Sequence, residues 1–289
     1  VFEQAGALHL LENGTPKKLT ITVPGDGLAA LPRWQEVGNS VRDADLSPNG
    51  QRVAFEVRGE IITMPRKHGA PRYVTKSSGA HDRSPTWSPD GKKLAWFSDE
   101  SGEYELFVSD HRGRGEIQRF DLTGQATAAE ASSSKQAARE VGGFYFNPRF
   151  SPDGKHVLYQ DKTNRLAYVS LDSGAVTTIS HQQGSLGVLR IAAEWSPDGR
   201  YVAFTERDPN TAYDNIALHE LSSGRQQRVT DGFVTASEPT FSRDGKFLFF
   251  EASVDSGPAR FGLDLSTSAA RRTSSNLYVT VLAADTENP

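Results

Sequence analysis

Apolar residues in this chain come in short runs separated by compact clusters of Ser, Pro, Asp, Asn and Gly. Between Ser84 and Phe120 the runs are SPTWS, KLAWFSD, YELFVSD and EIQRF, divided by PDGK, ESGE and HRGRG. Runs this short, rich in aromatic and branched residues and bounded by turn formers, predict β-strands joined by hairpins. Leu94, Trp96, Leu106 and Val108 fall on faces expected to be buried. The turn has its own chemistry: Pro89 fixes φ at about −65°, Asp90 follows comfortably, and Gly91 accepts the positive φ that closes the hairpin.

The same pattern recurs. Tetrapeptides of this kind begin at Ser47, Ser88, Ser151, Ser196 and Ser242, spaced 41, 63, 45 and 46 residues apart. A period in the forties with four short strands per unit predicts a β-propeller. The all-β expectation is therefore one propeller domain over residues 1–289, built of four-stranded antiparallel blades. Six blades are counted, at about 1–27, 42–76, 84–121, 146–180, 192–231 and 237–284. The first lacks an opening strand and the last is incomplete, so the two are expected to complement each other in closing the ring, which removes open sheet edges. The residue before each turn (Leu46, Trp87, Phe150, Trp195, Phe241) is expected in the core. The 63-residue interval holds GQATAAEASSSKQAAREVGG, residues 124–143. This reads as a surface loop interrupting the repeat, with a short helix as the alternative.

Composition narrows the function classes. The chain has 289 residues, a formal net charge of −4 and no cysteine. Thiolate catalysis, disulfides and Cys-ligated zinc are thereby excluded, and nothing in the charge balance favours nucleic acid. No 18-residue apolar run is present, so membrane insertion through a helix is not expected. The start, VFEQAGALHLLENG, has no signal-peptide succession and no initiator Met, and reads as a mature or excised piece whose compartment is open.

Catalytic signals are weak. There is no Gly-x-Ser-x-Gly elbow. In four of the five turns Pro follows the Ser, removing the backbone donor that an oxyanion would use at that place. Seven scattered histidines show no zinc-binding spacing. No metal, cofactor or catalytic residue is assigned.

The residues leading into the first strand of each unit vary while the turns stay alike. They are Arg42 and Asp43; His81, Asp82 and Arg83; Phe144, Tyr145 and Asn147; Arg190 and Glu194; Ser237 and Glu238. In a propeller these positions face the mouth of the central channel. One reading is a mouth that selects or guides peptide or protein segments by charge pairing and stacking. The other is a ring of residues that merely solvate the channel and pair between blades.

The WSPDG[KR] turns resemble the repeats of TolB and tricorn-type propellers. The ordered set VFEQAGALHLL, LSPNGQRVAFEVRGEIITMPRKHGAPRYVT, WSPDGKKLAWFSDESGEYELFVSD, VTDGFVTASEPTFSRDGKFLFF and LYVTVLAADTENP resembles the propeller preceding the catalytic part of bacterial tricorn-like serine peptidases. The resemblance covers nearly the whole chain. It implies a parent propeller of seven blades and, as partners, downstream PDZ-like and serine-peptidase domains. It also implies a non-catalytic module for substrate access, filtering or protein interaction. A stand-alone TolB-like interaction propeller of the bacterial envelope is the alternative, and through it the envelope is favoured over the cytoplasm. A propeller lyase or hydrolase would require a convergent His and metal cluster, with His81 the residue to watch.

Overall fold

The computed structural model describes residues 1–4, 7–22, 36–77, 79–123, 143–182, 190–258, 265–267, 272–282 and 286. Among them are twenty-two strands, two short 3-10 turns and no α-helix, and no helix is long and apolar enough to cross a membrane. The strands form six antiparallel sheets, each hydrogen-bonded in chain order.

Blade 1 holds β1 (Phe2–Gln4), β2 (Ala7–Glu12) and β3 (Thr15–Lys18). Blade 2 holds β4 (Val41–Leu46), β5 (Arg52–Val57), β6 (Glu60–Pro65) and β7 (Arg72–Tyr73). Blade 3 holds β8 (Asp82–Trp87), β9 (Lys93–Ser98), β10 (Glu105–Asp110) and β11 (Gln118–Phe120). Blade 4 holds β12 (Tyr145–Phe150), β13 (His156–Asp161), β14 (Arg165–Ser170) and β15 (Val176–His181). Blade 5 holds β16 (Ala193–Trp195), β17 (Tyr201–Arg207), β18 (Asp214–Glu220) and β19 (Gln226–Arg228). Blade 6 holds β20 (Thr235–Phe241), β21 (Phe247–Ser253) and β22 (Asn276–Val281). The predicted insertion at 124–143 lies outside the described residues apart from Gly143.

The five SPDG-type turns are built alike. Ser88 Oγ donates to Asp90 Oδ1 at 2.7 Å and accepts the Lys93 amide at 2.9 Å, while the Gly91 amide donates to the Ser88 carbonyl at 2.9 Å. Equivalent bonds recur around Ser47, Ser151, Ser196 and Ser242. The closing glycines all take φ between 66° and 72°, where an added Cβ would be strained. At Asp90 the hydroxyl of Ser88 and the Lys92 amide hold the carboxyl below its ordinary value. The repeated serine is thus committed to the turn.

Alternation along each strand explains why the inner runs are apolar on both sides. In blade 3, Leu94, Trp96 and Phe107 pack toward blade 2 against Ala54, Ile61 and Val74. The neighbouring Ala95, Phe97, Leu106 and Val108 pack toward blade 4 against Val157, Tyr159 and Val169. Blade 4 in turn sends Leu158, Leu166 and Tyr168 to meet Trp195, Val202 and Phe204 of blade 5. Ala203 and Ile216 then meet Phe241 and Leu248 of blade 6. Each fully buried large apolar side chain contributes roughly 1.5–3 kcal/mol, so four inter-blade layers hold blades 2 to 6 together.

None of those layers includes a residue of blade 1, whose described residues are all partly or fully exposed. This corrects one core assignment. Trp87, Phe150, Trp195 and Phe241 are buried as expected, but Leu46 is 59% exposed, because no buried layer covers the blade 1 side of β4.

Candidate functional site

The first strands of the blades carry the variable residues, and they approach one another across the sheets: β4 meets β8, β8 meets β12, and β16 meets β20. Four of them break register with their partner strand, between Val41 and Asp43, Arg83 and Thr86, Phe146 and Arg149, and Ser237 and Thr240. In three of these bulges a non-glycine residue adopts a left-handed conformation directly before proline: Ser84 (φ 52°), Asn147 (φ 52°) and Glu238 (φ 54°). This backbone is disfavoured for the residue and for its place before proline. It persists where packing over-determines it, as where the Ser84 amide donates to the buried Glu56 carboxylate at 2.9 Å.

The candidate residues separate into two groups. In the first, the Arg83 guanidinium lies 3.9 Å from the ring centre of Phe144, 5.4 Å from Phe146 and 5.7 Å from Tyr104. Tyr104 and Phe144 stand edge to face at 5.2 Å, and the Tyr104 hydroxyl is 2.9 Å from His81 Nδ1. Burial raises the Tyr104 hydroxyl above its usual value. Arg83 Nη1 is buried without a hydrogen-bond partner. A guanidinium held on rings in this way is rigid and offers stacking as well as charge.

In the second, Asn147, Arg190, Glu194 and Glu238 line one cavity of about 210 Å³ between blades 4, 5 and 6, together with Arg149. Arg190 and Glu238 pair across it at 3.4 Å. Glu194 is turned toward blade 6, where the Phe241 amide and the Thr240 hydroxyl bond it. Its carboxyl is raised by desolvation, which those bonds and Arg149 only partly offset. The equivalent tie between blades 2 and 3 is Asp45, whose Oδ2 accepts the Trp87 amide at 2.8 Å.

Two expected mouth residues lie elsewhere. Asp82 is only 1% exposed and accepts Trp96 Nε1 at 3.1 Å and Ser77 Oγ at 3.3 Å; burial raises its carboxyl above the ordinary range. Tyr145 is fully buried, with its ring 5.6 Å from Phe97 and 5.5 Å from Tyr159, and burial pushes its hydroxyl up. Strand alternation is the reason: when Tyr145 faces the core, Phe144 and Phe146 face away from it. Arg42 and Asp43 are exposed on β4 and join neither group; Asp43 Oδ1 accepts the Ala44 amide at 2.8 Å. Sequence reasoning missed Tyr104, Phe146 and Arg149. Period-two alternation from Phe144 would have found Phe146, whereas Tyr104 comes from a turn remote in sequence. Among the described residues no group of three or more His, Asp or Glu side chains is arranged to hold a metal ion.

Comparison with known proteins fits this architecture. A family model described as the tricorn protease second beta propeller domain matches residues 41–289. A tricorn protease homolog of Saccharolobus solfataricus is 23% identical over 255 residues, covering 88% of this chain and 21% of its own length. An uncharacterized peptidase, YuxL, of Bacillus subtilis is 24% identical over 74% of this chain and 30% of its own length. TolB of Xylella fastidiosa is 36% identical over 101 residues, or 29% of this chain and 23% of TolB. The chain thus spans less than a third of the length of these relatives. Among solved structures, the tricorn protease superposes with a TM-score of 0.64 at 17% identity, over 99% of this chain and 26% of that one. An oligogalacturonate lyase in complex with manganese has a TM-score of 0.52 at 11% identity, over 72% of this chain and 60% of that one. Both likenesses concern the fold.

Proposed function

The chain belongs to the family of tricorn protease second β-propeller domains, and on that premise we propose that it is a non-catalytic module that admits and guides extended peptide segments. The carrying observation is the contrast between the two kinds of serine, arginine and aromatic position. The repeated serines are consumed by turns, while the variable first-strand residues present an arginine on an aromatic platform and a charged cavity. Such surfaces suit a peptide, whose side chains supply rings and charges in turn. The peptidase chemistry belongs, in this reading, to further domains of a longer protein, which are also its partners.

The test is direct. The purified chain should bind labelled extended peptides, hydrolyse none of them, and remain unlabelled by a serine-reactive fluorophosphonate. Arg83→Ala should weaken peptide binding by about fivefold or more, the value of a well-formed cation–π contact. Turnover by the chain alone, or binding indifferent to Arg83, would overturn the proposal. The TolB-like reading, capture of a partner protein's segment without any protease, rests on the shorter shared stretch of 101 residues. Peptide binding in a parent protein that has no peptidase domain would favour it.

A further inference from the structure

The cavity between blades 4, 5 and 6 carries an ion pair that differs from the other described arginine pairs. Arg165 meets Asp161 at 2.8 Å, Arg207 meets Asp214 at 2.8 Å and Arg119 meets Glu100 at 2.7 Å, the distances expected of charge-assisted bonds. Arg190 and Glu238 face each other through both forks, yet each contact is 3.4 Å. Their side chains are 72% and 48% exposed, where such a pair contributes about 0–1 kcal/mol. Among the described arginine pairs it is the loosest, and both of its residues line a cavity that is large enough for about one side chain.

The remaining charges there are committed. Arg149 Nη1 donates to the Ala193 carbonyl at 3.2 Å and faces Glu194, and Glu194 is held by blade 6. At the foot, the Ile191 amide is satisfied by Gln160 Oε1 at 3.1 Å, and Leu158 and Leu166 supply an apolar floor. Glu238 and Asn147 both line the cavity from strained pre-proline positions, so the carboxylate that Arg190 touches is placed by the backbone. The Arg190 guanidinium thus faces a counter-ion that it holds at a longer distance than any other described arginine pair does.

We propose that this cavity is an exchange site for a carboxylate carried by an extended peptide, which displaces Glu238 and takes a bidentate seat on Arg190. Glu238 is then a built-in competitor that sets the threshold for entry. A planar fork matched to a carboxylate is the arrangement in which arginine surpasses lysine. The inference rests on the peptide-guiding reading and specifies the ligand group that reading leaves open.

Binding of three matched peptides to the intact chain, measured by fluorescence anisotropy, tests it. One peptide ends in a free carboxylate and has no other acid. The second is C-terminally amidated with one internal Glu, and the third is amidated with Gln in its place. At least one carboxylate-bearing peptide should bind about tenfold more tightly than the neutral one, and the better of the two identifies the source of the group. Arg190→Gln should abolish the preference and Arg190→Lys restore only part of it. Glu238→Gln should tighten the carboxylate peptide by about threefold or more relative to the neutral one. Equal binding of all three, or a preference that survives Arg190→Gln, overturns the exchange site and leaves peptide guiding intact. Failure of all three to bind overturns both.

Discussion

At the scale of single residues, His219 shows how the inter-blade layers constrain a polar group. It lies on β18 with 3% of its surface exposed, beside the Tyr168 ring at 6.2 Å, and neither ring nitrogen has a hydrogen-bond partner. Desolvation holds its pKa below the ordinary 6.5. The folded state therefore resists a proton that the unfolded chain accepts. Stability is fully present above pH 6.5 and declines as pH falls from that value toward the depressed folded one. His219→Phe should remove this component, so the difference in unfolding free energy between wild type and variant should grow in the variant's favour below about pH 6.5. Chemical denaturation at several pH values measures it, and parallel pH profiles would contradict the assignment. The turn serines illustrate the opposite case, in which a polar atom is buried and fully satisfied.

At the scale of elements, the bulged first strand is the device that separates core from surface. It lets Trp87, Phe150 and Phe241 enter the inter-blade layers while lifting the residues three positions earlier, Ser84, Asn147 and Glu238, into the left-handed region. The cost of that conformation depends on the side chain. Ser84→Gly should be neutral or stabilising by up to about 1 kcal/mol, since glycine adopts this φ freely. Ser84→Val should destabilise by about 2 kcal/mol, because a β-branched residue there is strained. Thermal and urea unfolding of the two variants decide the point. A valine variant as stable as the glycine variant would mean that the backbone relaxes out of the bulge.

At the scale of the molecule, cohesion is a chain of pairwise layers from blade 2 to blade 6, with blade 1 outside them among the described residues. Removing residues 1–18 should therefore leave cooperative unfolding intact and lower the Tm by no more than about 2–4 °C, the shift expected for about 1 kcal/mol in a domain of this size. Calorimetry of the shortened chain tests this. Loss of cooperativity would show that blade 1 closes the ring and supports both of its neighbours. The two candidate groups stand at different inter-blade seams, the aromatic platform at blades 3 and 4 and the cavity at blades 4 to 6, and they meet in β12, where Phe146 of the first is followed by Asn147 of the second.

The sequence by itself determined the strands, their turns and their grouping into blades, because these depend on local chemistry. Pro and Gly at fixed places close each hairpin, and period-two alternation assigns Leu94 and Trp96 to one layer and Ala95 and Phe97 to the other. It also marked the variable first-strand positions and the family. Only the tertiary structure decided where each of those positions points. Asp82 and Tyr145 turn inward because a register break and strand pleating set their direction, neither of which is written in residue type. Leu46 is exposed because burial needs a neighbouring blade on that side. Arg190 and Glu238, 48 residues apart, meet because two blades bring them to one cavity. Tyr104 joins Arg83 because the turn before β10 folds back over β8, a proximity set by pairing through β9 and invisible to any local pattern.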